Sequence, residues 1–207
     1  MVNEENVSKV GRSALRLVVL AGPNGAGKST AADSILRGAL QVDEFVNADV
    51  IARGLSGFLP DRSAMAAGRI MLARLNELAE RQVSFAFESI LASRTFAPWI
   101  SRLVRRGYEF HLVFLWLPRA KVAVARVAER VRRGGHNAPE AIIRRRYHTV
   151  LRNFFDLYLP LAATWQVIDN SSGRTMVIAE GCGTHAERIR YPGIWASIEQ
   201  STRHGKR

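Results

Sequence analysis

Hydrophobic positions in this chain fall into short continuous runs separated by longer amphipathic stretches. The first run, Leu15–Ala21 (LRLVVLA), is almost wholly apolar and ends at glycines, the pattern of a strand buried on both faces of a parallel sheet. Residues 30–40 then read as a helix, 44–47 as a short second strand and 61–81 as a long helix. Met65, Ile70, Leu72, Leu75 and Leu78 form the expected apolar face of the long helix, with Asp61 as its N-cap just after Pro60. Residues 84–90 (SFAFESI) are a third strand, and 95–106 a helix that Gly107 ends. Residues 109–117 (EFHLVFLWL), bounded by Gly107 and Pro118, make the most strand-like segment. Helices follow over 120–133 and from near Pro139 to about Tyr158, with a break at Gly134 and Gly135. Residues 165–168 are a fifth strand, 174–180 a further strand at the sheet edge, and a short helix is expected around Trp195.

Strands alternating with helices imply right-handed βαβ units on a parallel sheet, with ligands at the carboxyl ends of the strands. The residues just after each strand therefore become the candidates for chemistry. After the first strand stands Gly22-Pro23-Asn24-Gly25-Ala26-Gly27-Lys28-Ser29-Thr30, which satisfies G-x-x-x-x-G-K-[ST] at every specified position. Glycines let the backbone turn tightly and bring N–H groups to phosphate oxygens, and the following helix adds its positive end. Lys28 is expected at the β- and γ-phosphates of ATP or GTP, and Ser29 on Mg²⁺. The fold class is therefore α/β, a P-loop NTPase fold with a five-stranded, mostly parallel sheet flanked by helices. Residues 1–13 read as a flexible leader, 14–200 as one domain and 201–207 as a basic tail.

Two carboxylates follow strands. Asp49, in VNAD, is either the base that accepts a substrate hydroxyl's proton or an N-cap of the turn that follows. Glu88 interrupts the apolar run FAFESI, and a carboxylate there needs a partner or a metal. It reads as a group that positions Mg²⁺ or contacts the substrate, the alternative being an exposed strand end.

Charge sharpens the picture. The 207 residues carry a formal net charge of +12. Residues 126–146 hold seven arginines against only Glu129 and Glu140. Arg126, Arg130 and Arg133 are spaced to share a helix face. With Gly134 and Gly135 as a hinge, this segment reads as an Arg-rich helical lid that closes over a nucleotide. His136 reads as a turn residue. The charge also raises nucleic acid as a partner, but the segment interleaves only Tyr147 and then Phe154 and Phe155, which look like helix core rather than a stacking platform. No apolar run approaches the roughly 20 residues of a membrane span, and the polar start lacks a signal-peptide layout, so a cytoplasmic protein is expected. The single Cys182 excludes an internal disulfide and reads as a buried or idle thiol.

Taken together, AGPNGAGKST, FVNADVIARGL, AGRIML, SFAFESIL, RRGYEFHLVFLWLP, RVAERVRRGGHNAPEAIIRRRY and VIDNSSG resemble the zeta toxin group of P-loop kinases, in its order and over about residues 16–173. The resemblance implies phosphorylation of a small hydroxylated substrate by ATP or GTP. In the best-known members that substrate is the sugar of UDP-N-acetylglucosamine. It implies Lys28 at the phosphates, Asp49 as base, and Glu88 near metal or substrate. It also implies Arg130, with one of Arg144, Arg145 and Arg146, as lid charges; Arg145 is taken as the catalytic one of the three, and Ser89, Arg133 and Arg146 as substrate contacts. An antitoxin protein becomes a possible partner. One departure stands out: the family has threonines after the FE glutamate, whereas Ser89 here keeps a hydroxyl and Ile90 does not. A nucleic-acid kinase or nucleotide-driven nucleic-acid-binding protein, and a low-turnover nucleotide switch, are the competing readings.

Overall fold

The computed structural model describes residues 14–57, 60–135, 138–172 and 175–203. The leader to residue 13, His136 and the last four residues of the tail lie outside them. Strand β1 (Leu15–Ala21) runs into the phosphate loop and helix α1 (Lys28–Asp33), which continues as a π-helical stretch, Ser34–Ala39. Then come β2 (Glu44–Val46), α2 (Ala48–Leu55), a 3₁₀ turn (Pro60–Ser63) and α3 (Ala64–Glu80). β3 (Phe85–Ser89), α4 (Phe96–Arg105), β4 (Tyr108–Trp116), α5 (Ala120–Arg132) and α6 (Glu140–Asn153) follow. A π-helical turn (Phe154–Tyr158) leads to β5 (Thr164–Asp169), β6 (Met176–Cys182), β7 (His185–Ile189) and α7 (Pro192–Arg203).

The strands form one sheet in the order β2-β3-β1-β4-β5-β6-β7. β2 to β5 are parallel, and β6 and β7 extend the β5 edge antiparallel. The sheet thus has seven strands rather than five. β7 (HAERI) escapes sequence reading because it is a charged, mostly exposed edge strand with no buried face to impose alternation. β1 is flanked by β3 and β4, and Leu17 to Ala21 are wholly buried, as a continuous apolar run requires.

α3 departs from expectation in two ways. It begins at Ala64, with Ser63 in the capping position, rather than at Asp61. It also turns only part of the expected face, Leu75 and Leu78, to the core. Ala67, Met71, Leu75, Leu78 and Ala79 are buried, while Met65 is 80% exposed and Ile70 and Leu72 lie outside as well. At the other end, the Trp195 ring stacks on Trp165 at 5.4 Å and docks α7 beside β5. Cys182 is exposed rather than buried; its hydrogen bond to Glu187 pushes the thiol up, away from reactivity. Among the described residues no helix is long and apolar enough to cross a membrane.

Candidate active site

The parallel register brings the candidates together. Leu20 pairs with Glu88 and Ala21 with Ser89, so the end of β3 stands beside the start of the phosphate loop. Gly27 closes that loop with φ 82, a left-handed conformation that side chains disfavour. A Cβ there would also stand 2.5 Å from Asn170 Nδ2. Asn170 donates to the Ala26 carbonyl at 2.8 Å. Arg126, from α5, donates to the carbonyls of Gly25 at 3.4 Å and Ser171 at 2.8 Å. Loop, lid helix and the segment after β5 are thereby laced into one unit.

Lys28 is buried, and its ammonium donates to the carbonyls of Gly22 and Pro23 at 3.1 Å each. It stands 3.6 Å from Glu88 Oε1. Burial holds its pKa below the ordinary lysine value; Glu88 and Asp49 pull it back up, and Arg130 pushes it down. Ser29 Oγ donates to Glu88 Oε2 at 2.6 Å. Asn47 Nδ2 donates to the same carboxylate oxygen at 2.7 Å and to Ser29 Oγ at 3.3 Å. Glu88 is therefore a paired, mostly buried carboxylate, not a solvated strand end.

Asn47 has a second task. Its Oδ1 accepts from Asp49 N at 2.8 Å and Val50 N at 3.3 Å, which caps α2. The capping alternative for Asp49 is thus replaced: Asn47 is the cap, and Asp49 is an exposed carboxylate in the first turn of α2.

Two clefts open here. The first, about 470 Å³, is lined by Gly25 and Gly27 to Thr30 of the loop, Glu88, Arg126, Glu129, Arg130, Arg133 and Gly135. The shared face of Arg126, Arg130 and Arg133 does look onto the phosphate loop. Arg133, expected at the substrate, lies instead in this phosphate cleft, ion-paired with Glu129 at 3.0 Å. The second cleft, about 540 Å³, is lined by Ile90, Ala92, Ser93, Arg145, Arg146 and Thr149. Arg145 and Arg146 are thus brought together on the second cleft, away from the first cleft's lining. Among the described residues neither has a carboxylate partner, whereas Arg144 pairs with Glu140 at 2.7 Å. Ser89 Oγ accepts from Leu91 N at 3.0 Å, so its hydroxyl shapes the turn after β3. Asn153 Nδ2 and Tyr158 OH, each at 2.7 Å, hold that turn through the carbonyls of Leu91 and Ser93. Sequence reading missed Asn47 and Asn170, and placed Arg126 on the lid face without its bonds to the Gly25 and Ser171 carbonyls. Asn47 sits directly before the cap-favoured first turn of α2, a signal that Asn at a helix start carries.

A complete phosphate loop after β1, a glutamate near the end of the neighbouring β3 and an arginine helix over the cleft define a P-loop NTPase fold with a built phosphate site. Residues 17–153 match the AAA_33 family model, described as an AAA domain, and the chain belongs to that family. A protein of Haemophilus influenzae (strain ATCC 51907 / DSM 11121 / KW20 / Rd) described as uncharacterised is 27% identical over 132 residues, covering 64% of this chain and 92% of its own length. The fold is similar to a chain of the AvrRxo1-ORF1:AvrRxo1-ORF2 complex crystallised with sulphate ions, at TM-score 0.70 and 14% identity over 89% of this chain. This chain spans only 63% of that one. The same complex has also been crystallised with ATP. A structure of the PezAT chromosomal toxin-antitoxin system of Streptococcus pneumoniae matches at TM-score 0.62 and 12% identity, over 96% of this chain and 90% of its own. The resemblance to the zeta toxin group holds at the level of the fold.

Proposed function

We propose that this protein transfers the terminal phosphoryl group of ATP or GTP to a hydroxyl of a small acceptor. The observation that carries the reading is the convergence of Lys28, Ser29, Glu88 and Arg130 on one cleft, two residues along the chain from a second cleft at Ile90. Lys28 supplies a fixed positive charge for the β/γ-phosphates, and Arg130 supplies charge for the transition state. Asp49, exposed in the first turn of α2, accepts the acceptor's proton.

Mg²⁺ fits the oxygen donors present. Ser29 Oγ and Glu88 Oε2 meet at 2.6 Å, and this cation takes few protein ligands beside waters and phosphate oxygens. Among the described residues there is no cluster of three acidic, histidine or cysteine side chains to hold an all-protein metal centre. Once bound, the ion would neutralise charge between the phosphates.

The second cleft is the acceptor site in this reading. Its two arginines without carboxylate partners suit an anionic molecule such as a UDP-sugar, UDP-N-acetylglucosamine being the first to try. Similarity to a toxin-antitoxin structure supports an antitoxin-like protein partner as a further part of the reading. The test is incubation with γ-labelled ATP or GTP and a panel of UDP-sugars, nucleosides and oligonucleotides. Label on a small acceptor is expected. Label on oligonucleotides alone, or on nothing, contradicts the proposal.

A further inference from the structure

The two glycines after α5 do different things. Gly134 N donates to the Val131 carbonyl and Gly135 N to the Arg130 carbonyl, both at 2.9 Å. This nested pair closes a helix on a left-handed residue, and Gly134, with φ 80, is that residue. The segment expected to be a hinge is therefore a hydrogen-bonded helix ending. Gly135 does not adopt a left-handed φ, so its backbone does not call for glycine. What excludes a side chain there is Arg130. A Cβ on Gly135 would stand 2.5 Å from Arg130 Cγ, 3.2 Å from its Cδ and 3.0 Å from its carbonyl oxygen. A Cβ on Gly134 would meet nothing within 4 Å.

Cγ and Cδ are the root of the arginine side chain. They cannot yield without swinging the guanidinium, and the third contact is backbone that already accepts the cap bond. Arg130 is half-buried and lines the phosphate cleft together with Lys28, Glu88 and Gly135 itself. We propose that Gly135 is a positioning residue for phosphoryl transfer: its missing side chain is the slot against which Arg130 lies and by which Arg130 is aimed at the phosphates. The inference rests on the phosphotransferase reading and on Arg130's part in it.

The test is a double-mutant cycle on the full chain, with turnover of γ-labelled ATP, ATP·Mg²⁺ affinity and melting temperature measured for each variant. Arg130→Ala is expected to lower turnover by at least about tenfold, as for other lost transition-state charges. Gly135→Ala should lower it comparably, and Gly135→Ala in the Arg130→Ala background should lower it no further. Gly134→Ala, which strains the cap without touching Arg130, should lower the melting temperature and leave turnover of the folded protein within about twofold. Normal turnover in Gly135→Ala beside an impaired Arg130→Ala overturns the inference alone. A further multiplicative loss in the double variant also overturns it, because the methyl group then obstructs the nucleotide directly. Normal turnover in Arg130→Ala overturns the inference together with the lid's part in the proposed function.

Discussion

Asn47 joins the phosphate side of the site to the helix that carries Asp49, so its replacement should be felt on both. It is 4% exposed and makes four hydrogen bonds from one amide, two through Nδ2 and two through Oδ1. Asn47→Ala removes the α2 cap, worth about 1 kcal/mol. It also removes a hydrogen bond to the charged Glu88, worth about 1.5–3 kcal/mol. The total, about 3 kcal/mol, corresponds to a fall of roughly 6–12 °C in Tm for a chain of this size. Asn47→Asp separates the two terms. Aspartate caps as well as asparagine and suits the helix dipole, but it sets a second carboxylate where the amide now donates to Glu88 at 2.7 Å. At neutral pH Asn47→Asp should lose about 2 kcal/mol or more, through like-charge repulsion. The repulsion raises the folded-state pKa of the carboxylate pair, so this loss should shrink as pH falls and the pair takes up a proton. Urea denaturation of both variants at pH 7 and pH 5 measures this. Wild-type stability of Asn47→Asp at pH 7, or a loss of only about 1 kcal/mol in Asn47→Ala, would show that Asn47 is a cap and nothing more.

Three further outcomes are expected. Lys28→Ala should abolish ATP binding or turnover while circular dichroism shows the fold intact, since the β/γ-phosphates lose their point charge; unchanged affinity and turnover would end the phosphate-loop reading. Tyr147, whose pKa burial pushes up to about 12, donates to the Leu117 carbonyl at 2.7 Å and ties α6 to the end of β4; Tyr147→Phe should lower stability by about 1 kcal/mol in a denaturant titration, and no loss would remove that tie from the account. Burial holds His111 below the ordinary histidine value, against the pull of Glu109. The unfolded chain therefore binds the proton first, and stability is lost as pH falls from about 6.5 through the folded-state pKa. His111→Gln should flatten that part of the stability–pH profile, and an unchanged slope would contradict the assignment.

Much of this architecture could be read before any coordinates, because its main elements are locally encoded. β1 and β4 are buried on both faces and announce themselves as apolar runs. The phosphate loop is encoded by glycines whose spacing is set by the loop's own geometry. The arginine face of α5 follows from helical periodicity alone. What stayed hidden depends on partners distant in sequence. α3 offers apolar residues on two stripes, and only the sheet beneath decides that Met71 goes in and Met65 stays out. β7 has no buried face to pattern it. Asn170 lies 144 residues from the carbonyl it holds, and no local signal marks it. Arg133 and Arg145 were separable only once the clefts were seen, because both are arginines on basic helices.

Phosphoryl transfer to a hydroxyl is the central claim, and Asp49 is its most exposed point. The decisive measurement takes Asp49→Asn and wild type side by side, recording ATP·Mg²⁺ binding and transfer of the γ-label on the same samples. The amide is nearly isosteric, Asn47 already caps α2, and the loop contacts are untouched. The account predicts near-normal binding with transfer reduced by roughly 10²–10⁴, the range for a lost general base. Transfer undiminished in Asp49→Asn would remove Asp49 from the chemistry, and a wild-type protein that binds ATP but transfers nothing to any small acceptor would contradict the kinase reading itself.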